Sequence, residues 1–381
     1  MYESDDSEEL ELGRKLGLSR RQLMAATVGV AAAAASVALT GGAVHAHPSA
    51  AGATGGGGGV LVPPGKRGII LFTVRDAISR NPLTSDLPSG FREVFEALSG
   101  IGYKQIEFAG YTQNVNSEGG QNLGNVAGAT LMRQWLDDNG LEAEGNHGSI
   151  PSTINETTIA QFDAACDIAN ILGFGHIGTG NDPTGSAQKA AWDTAIDVWN
   201  FWGARAATHG LKLYTHNHDA AYSFLLDSGP LDLAGNFTRS SGVRRLEYFL
   251  QNTDPASVYL EMDVYWAHVA QYRFASYTAA DGSIVADHFD PAGLVAAQPI
   301  RFPLFHAKDG LSNPALPAGY QIVPFGQGSI DYEDFFSRIG AKGHHNSMWE
   351  QDNAPGNAIT APDQSLQYAA SSYAAIAALR G

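Results

Sequence analysis

Leu211-Lys212-Leu213-Tyr214-Thr215-His216-Asn217-His218 is the stretch on which the fold turns. A short apolar run of strand character leads directly into two imidazoles flanking an amide. Side chains alternate along a strand, so His216 and His218 share one face and can both point into the same space. Before this run lies an amphipathic helical pattern over 186–209, stopped by Gly210. After it, beyond an insert at 219–240, come a helical pattern over 243–252 and a second apolar run at 258–264. Helix, strand, helix, strand is the grammar of a parallel α/β sheet.

Working outward, the unit recurs. Strands are expected at 68–74, 104–108, 141–146, 174–179, 211–216, 258–264, 302–307 and 347–351. Helices are expected at 91–98, 130–139, 157–172, 186–209, 243–252, 291–298, 332–339 and 362–379, with Gly100 and Gly140 placed as C-caps. Eight βα units over 67–381 predict one α/β domain, a single (β/α)8 barrel. A doubly wound open sheet would carry a glycine-rich phosphate turn after strand one, and Val74-Arg75-Asp76 supplies none. Inserts at 219–240, 265–289 and 310–329 follow strands five, six and seven, on the face where barrel enzymes carry their substrate loops.

The first 66 residues read as an address and a tether. Arg20-Arg21 precede an Ala-rich apolar run over 23–39 and the small-residue site Val44-His45-Ala46, the layout of a twin-arginine signal cleaved after Ala46. A retained membrane anchor is the competing reading, although the run is short and poor in Leu and Ile. Residues 47–66, with glycines from Gly55 to Gly59 and then Pro63-Pro64-Gly65, are expected to form a flexible linker. The mature chain would be exported, in the medium or at the cell envelope, with the twin-arginine machinery as its partner. That route carries folded proteins, which suits a metal or cofactor loaded before export.

Composition narrows the class. The formal charge is −16, and residues 1–46 hold six acids and four bases, so the mature chain carries −14. Such a surface repels phosphate backbones and excludes nucleic acid as a partner. Cys166 is the only cysteine, which precludes an intrachain disulfide, and it reads as a small buried side chain in a helix.

Each strand delivers polar residues at its C-terminal end: Glu107, His147, Asn181, then His216 and His218, Asp263, His306 with Lys308, and Glu350. Imidazoles and carboxylates from adjacent strands five to eight form a plausible cage for one divalent ion. Mixed N and O ligation suits Mn2+, Co2+, Zn2+ or Fe2+ and is too rich in nitrogen for Ca2+. Structural readings stand beside these. Asp263 can be a helix N-cap, Glu350 a solvated loop acid, and Glu107 a salt-bridge partner of Arg75. His147 and His306 can be hydrogen-bonded core residues. Trp266 and Trp349 are either sugar-stacking platforms or packing.

The segments resemble the xylose-isomerase-like TIM barrel superfamily, also called sugar phosphate isomerase/epimerase, from Arg67 to about Asn353. The resemblance is carried by Leu71 to Asp76, Gly102 to Gly110, Leu213 to Asp219, Glu261 to Trp266, Phe305 to Asp309 and Trp349 to Asn353. It implies a four-ligand metal site in which Asp263, His306 and Glu350 match the ligands of strands six, seven and eight. The strand-five ligand in ketose epimerases of this kind is a glutamate; here His216 takes that place, with His218 as competitor. The glutamate that often follows the histidine-asparagine-histidine motif is missing, since Asp219 is followed by Ala220 and Ala221. A symmetrical two-carboxylate epimerisation is thereby put in question.

The expected activity is metal-dependent isomerisation or epimerisation of a free sugar or sugar derivative, begun by removing a proton alpha to a carbonyl. Glu350 or a nearby histidine is the expected base. Lys308 and His147 are candidates for hydrogen bonding or proton delivery, Glu107 holds a hydroxyl or orients a ligand, and Asn181, Trp266 and Trp349 would line the substrate. A metal-dependent lyase, dehydrating an inosose or cleaving a 3-keto glycoside, is the alternative, and a non-catalytic exported sugar-binding protein is a third. Nuclease activity is disfavoured by the acidic surface.

Intact mass of the protein exported by a host with the twin-arginine pathway should show a chain beginning at His47. Replacing Arg20 and Arg21 together with Lys should leave it in the cytoplasm. Export of that variant at the wild-type level would contradict the assignment.

Overall fold

The computed structural model describes residues 59–339 and 345–381. The expected signal at 1–46 and most of the expected linker lie outside the described residues. The end of that linker departs from expectation. Leu61 and Val62 are buried in the core, and the Leu61 N–H reaches Leu379 O at 3.4 Å. Arg67 Nε donates to Val62 O at 3.1 Å. Two apolar side chains just before Pro63-Pro64 have surface to bury, and the last turn of the chain supplies it.

Eight parallel strands close into a barrel: β1 (Arg67–Ile70), β2 (Gln105–Phe108), β3 (Glu142–Gly148), β4 (His176–Thr179), β5 (Lys212–His216), β6 (Val258–Asp263), β7 (Leu304–Ala307) and β8 (Asn346–Trp349). Each strand pairs with its neighbours in sequence, and β1 pairs with β8 to complete the circle. Besides a short helix at Arg75–Ser79, the helices are α1 (Gly90–Ile101), α2 (Val126–Asp138), α3 (Glu156–Leu172), α4 (Lys189–Thr208), α5 (Arg245–Asn252), α6 (Val264–Arg273), α7 (Pro291–Ala297), α8 (Tyr332–Arg338) and α9 (Gln364–Ala378). In α4 the buried positions Trp192, Ala195, Ile196, Trp199, Trp202, Gly203 and Ala206 follow helical spacing and form one face. Cys166 is buried on α3. No helix among the described residues is long and apolar enough to cross a membrane.

Three local expectations need correction. The first strand stops at Ile70, and Leu71–Val74 coils into a 3-10 turn that still buries Leu71, Thr73 and Val74. Helix α1 runs on through Gly100 and ends at Gly102, whose φ of +122° no side chain adopts readily. The insert after β6 opens with α6, because the Asp263 side chain accepts the Trp266 N–H at 3.0 Å and caps it. Each insert also carries an antiparallel hairpin: Ser228–Leu231 with Phe237–Arg239, Ser276–Thr278 with Ile284–Ala286, and Asp309–Ser312 with Tyr320–Val323.

The barrel interior is layered. At the bottom, Gln105 Nε2 donates to Glu144 Oε1 and Asn346 Oδ1 at 2.6 and 2.9 Å, and Lys66 Nζ donates to the same Asn346 oxygen at 2.7 Å. Above it, Tyr214, Tyr259, Leu304 and Met348 form an apolar layer contributed by β5 to β8. Glycines of the adjoining strands β3 and β4 make room for them: a Cβ on Gly145 or Gly178 would come within 2.9 or 2.5 Å of Tyr214 side-chain atoms. Large side chains from one half of the barrel thus fill space that the other half leaves open.

His176, on β4, is buried, and burial followed by the Lys212 charge pushes its pKa down from 6.5 to about 4. A base whose pKa falls on folding binds its proton more readily in the unfolded chain. Stability should therefore be complete above about pH 6.5 and decline toward pH 4, by up to about 3 kcal/mol from this group. Urea titrations across that range should show a shallower decline for His176→Gln than for wild type; equal slopes would remove His176 from the account.

Candidate metal centre at the barrel mouth

Above the apolar layer the interior becomes ionisable. Strand alternation puts Tyr214 and His216 of β5 on the inner face, with Tyr259, Glu261 and Asp263 of β6 and Leu304 and His306 of β7. His147 reaches the same space by a different device. The β2–β3 register shifts between Ile106 and Glu107, so that Ala143 pairs with Ile106 but Gly145 pairs with Glu107. That extra residue reverses the alternation and turns an odd-numbered side chain inward. Gly180 leaves room for it, since a Cβ there would lie 2.5 Å from His147 Nδ1.

The polar groups interlock. Glu261 Oε2 lies 2.8 Å from His147 Nε2, 3.2 Å from His306 Nε2 and 3.3 Å from His216 Nδ1. His306 Nε2 is also 2.8 Å from Glu107 Oε2, while its Nδ1 is 2.8 Å from Glu350 Oε2. The Tyr214 hydroxyl donates to Glu107 Oε1 at 2.5 Å. Nearer the rim, Lys308 Nζ is 3.1 Å from Asp263 Oδ2, 2.9 Å from Glu350 Oε2 and 2.8 Å from Asp352 Oδ2. Asp309, beside Lys308, accepts N–H bonds from Gly326 and Gly328 and ties the third insert down.

Charge states follow from these contacts. Burial, reinforced by Glu261, raises the Glu107 carboxyl above its ordinary range. Burial also opposes ionisation of Glu261, yet His306, His147 and His216 hold it well below the usual range. Glu350 is likewise held low against burial by Lys308 and His306. Asp263 rises to about 7, through burial that Lys308 only partly offsets. Burial and the neighbouring His306 keep the His216 imidazole neutral, with a pKa well below 6.5. Lys308 stays charged despite burial because Asp263, Asp352 and Glu350 surround it.

Two groups of side chains are arranged so that one ion could be held. His147, His216, Glu261 and His306 form one, and His216, Asp263, His306 and Glu350 form the other; within each, the ligand atoms lie within 4.8 Å of one another. The donor set is the imidazole–carboxylate mixture that first-row divalent ions take. Buried Asp263 Oδ2 lacks a well-formed hydrogen bond, as an unfilled ligand position would. The residues present fit a divalent cation.

The remaining candidates divide. His218 is outside both groups; its backbone N–H meets Asp182 Oδ1 at 3.1 Å and its ring lies 5.4 Å from that of Trp266. Trp266 borders the site, with Lys308 Nζ 5.3 Å from its ring centre. Asn181 is exposed, and its amide turns back to Thr179 Oγ1. Trp349 is not available to a substrate: it is fully buried in the core between barrel and helices, because alternation on β8 turns Met348 inward and Trp349 outward. Glu107 bonds His306 and Tyr214 rather than Arg75, which donates instead to Phe72 O and Asp352 O. Glu350 is buried and no solvated loop acid. Sequence reasoning passed over Glu261, Asp352 and Tyr214. The i, i+2 rule applied to His216 and His218 would also have paired Glu261 with Asp263.

The family model for the xylose isomerase-like TIM barrel matches residues 95–371, and the chain belongs to that family. Similar solved structures include a sugar phosphate isomerase/epimerase from Parabacteroides distasonis, at 21% identity, TM-score 0.57, covering 82% of this chain and 94% of that one. Another is the probable 3-DHS dehydratase involved in petrobactin synthesis from Bacillus anthracis, at 14% identity, TM-score 0.52, covering 80% and 97%. A xylose isomerase-like TIM barrel protein from Mycobacterium smegmatis in complex with magnesium is 17% identical, TM-score 0.51, covering 82% and 96%. At these identities the likeness concerns the fold. No curated protein matches.

Lys308→Met leaves three carboxylates facing one another without their cation. In the presence of chelator it should lower unfolding stability by about 3–5 kcal/mol. A loss below about 1 kcal/mol would show that the ammonium is not holding the mouth together.

Proposed function

We propose that the chain is an exported, metal-dependent enzyme that isomerises or epimerises an uncharged sugar or sugar derivative by removing a proton alpha to a carbonyl. The observation that carries this reading is the grouping of His216, Asp263, His306 and Glu350, from four consecutive strands, with ligand atoms within 4.8 Å. Membership of a family whose relatives include an isomerase/epimerase and a dehydratase supports it. A divalent ion of the Mn2+, Co2+, Zn2+ or Fe2+ kind would polarise a carbonyl and its vicinal hydroxyl and stabilise the charge that deprotonation creates.

The chain's own groups supply the rest. Glu350, kept ionised by Lys308 and His306, accepts the proton. The Lys308 ammonium beside it donates a hydrogen bond to a substrate oxygen. His147, with 11% of its side chain exposed and its pKa raised by Glu107 and Glu261 against burial, holds a proton for return. Trp266 offers an apolar face to a sugar ring. Glu107, Glu261, Asp263, Glu350 and Asp352 crowd the mouth, and three of them already share Lys308. A phosphate ester would meet repulsion there, which favours a neutral substrate.

Elimination is the second reading, favoured by one observation. β5 contributes the neutral imidazole of His216, so the mouth lacks a second carboxylate at that strand to serve as an opposing base. Both reactions begin with the same proton removal and differ in what leaves.

Incubation of keto-sugars and aldoses with the metal-loaded protein in D2O should yield a product carrying one solvent deuterium at an otherwise unchanged composition. Loss of water or of an aglycone would select the lyase reading instead. Asp263→Ala and Glu350→Ala should each reduce turnover by about 10²-fold or more. Saccharide binding with neither deuterium uptake nor loss of water or an aglycone from any carbonyl sugar would contradict both reactions.

A further inference from the structure

Two overlapping ligand groups share His216 and His306, and one ion cannot take both. Each shared imidazole spans the gap between them. His216 turns Nδ1 toward Glu261 at 3.3 Å and Nε2 toward Asp263 at 3.9 Å. His306 turns Nε2 toward Glu107 and Glu261, at 2.8 and 3.2 Å, and Nδ1 toward Glu350 at 2.8 Å. We infer that Glu261 is a positioning residue and not a ligand: by holding His216 Nδ1 it leaves His216 Nε2 for the mouth, and so selects the outer group of His216, Asp263, His306 and Glu350. This rests on the reading of the mouth as a cation site.

An ionised carboxylate only accepts hydrogen bonds, so a ring nitrogen directed at it carries the proton. The neutral His216 imidazole has one N–H, and fixing it on Nδ1 leaves the lone pair on Nε2; His306 faces carboxylates with both nitrogens, so Glu261 settles no tautomer there. Glu261 is fully buried, and its Oε2 is approached by nitrogens from β3, β5 and β7. Two of those contacts, to His147 and His306, already lie at hydrogen-bond distance, and the third is only slightly longer. His216 Nε2 and Asp263 Oδ2, by contrast, stand too far apart to bond each other. Histidine ligands are commonly held in this way, with the second nitrogen on a buried carboxylate. His147 then belongs to the inner network and contributes no bond to the ion.

The test uses the full mature protein and Co2+ as probe. Wild type should bind one ion; Glu261→Gln should still bind one, with Kd raised about 10- to 100-fold and an altered visible spectrum. Asp263→Asn should lose stoichiometric binding, and His147→Gln should keep it. In metal-free wild type, 15N spectra of labelled histidine should show His216 protonated at Nδ1, a measurement that needs no variant to fold. An Nε2-protonated His216 would overturn the inference, as would an unchanged Kd and spectrum in Glu261→Gln. Loss of the ion from Glu261→Gln and His147→Gln, with retention by Asp263→Asn, would place it in the inner group and overturn it too. If wild type binds no Co2+, the cation reading fails, and the His216 proton position still decides the role of Glu261.

Discussion

Closure of the barrel forces ionisable side chains from six strand ends into one small, largely dry space. Isolated charges cannot be buried there at tolerable cost, so each must find a partner. The molecule meets that constraint with two hubs. Deeper in, one oxygen of Glu261 gathers imidazoles from β3, β5 and β7; at the rim, the Lys308 ammonium gathers Asp263, Glu350 and Asp352. His306 connects the hubs, with one nitrogen in each. The layers beneath, the apolar plug around Tyr214 and the polar floor around Asn346, keep those strand ends at fixed spacing.

Much of the fold was legible because its signals are local. A buried parallel strand reads as an apolar run and a covering helix as a 3.6-residue pattern, and eight alternations leave few architectures. What escaped notice depends on contacts distant in sequence. Helix α6 has a weak apolar pattern of its own and is set by the Asp263 cap. Leu61 and Val62 look like part of a glycine-rich tether until the chain's C-terminal end arrives to cover them.

The site was legible in part for a similar reason. His216, Asp263, His306 and Glu350 announce themselves as polar residues where apolar strands end. Glu261 and Tyr214 lie inside the runs, where a reader expects core, and only the inward face of a closed barrel gives them polar company. Trp349 misleads in the opposite sense, since its neighbour in sequence is a site residue and its own side chain faces the helices. Asp263 shows that a structural and a chemical reading need not compete: one oxygen caps α6 while the other faces the cluster. Similar solved structures of 21% identity and below share the barrel, so what this chain does with it rests on the side chains at its own mouth.

The most direct test is anomalous diffraction at the metal edge from crystals of the protein loaded with Mn2+, Co2+ or Zn2+. One peak is expected at the mouth, within about 2.0–2.3 Å of His216 Nε2, His306 Nδ1 and carboxylate oxygens of Asp263 and Glu350. A loaded crystal with no peak among the strand ends of β5 to β8, or with Lys308 still bridging Asp263 and Glu350 and the ion bound elsewhere, would contradict the account.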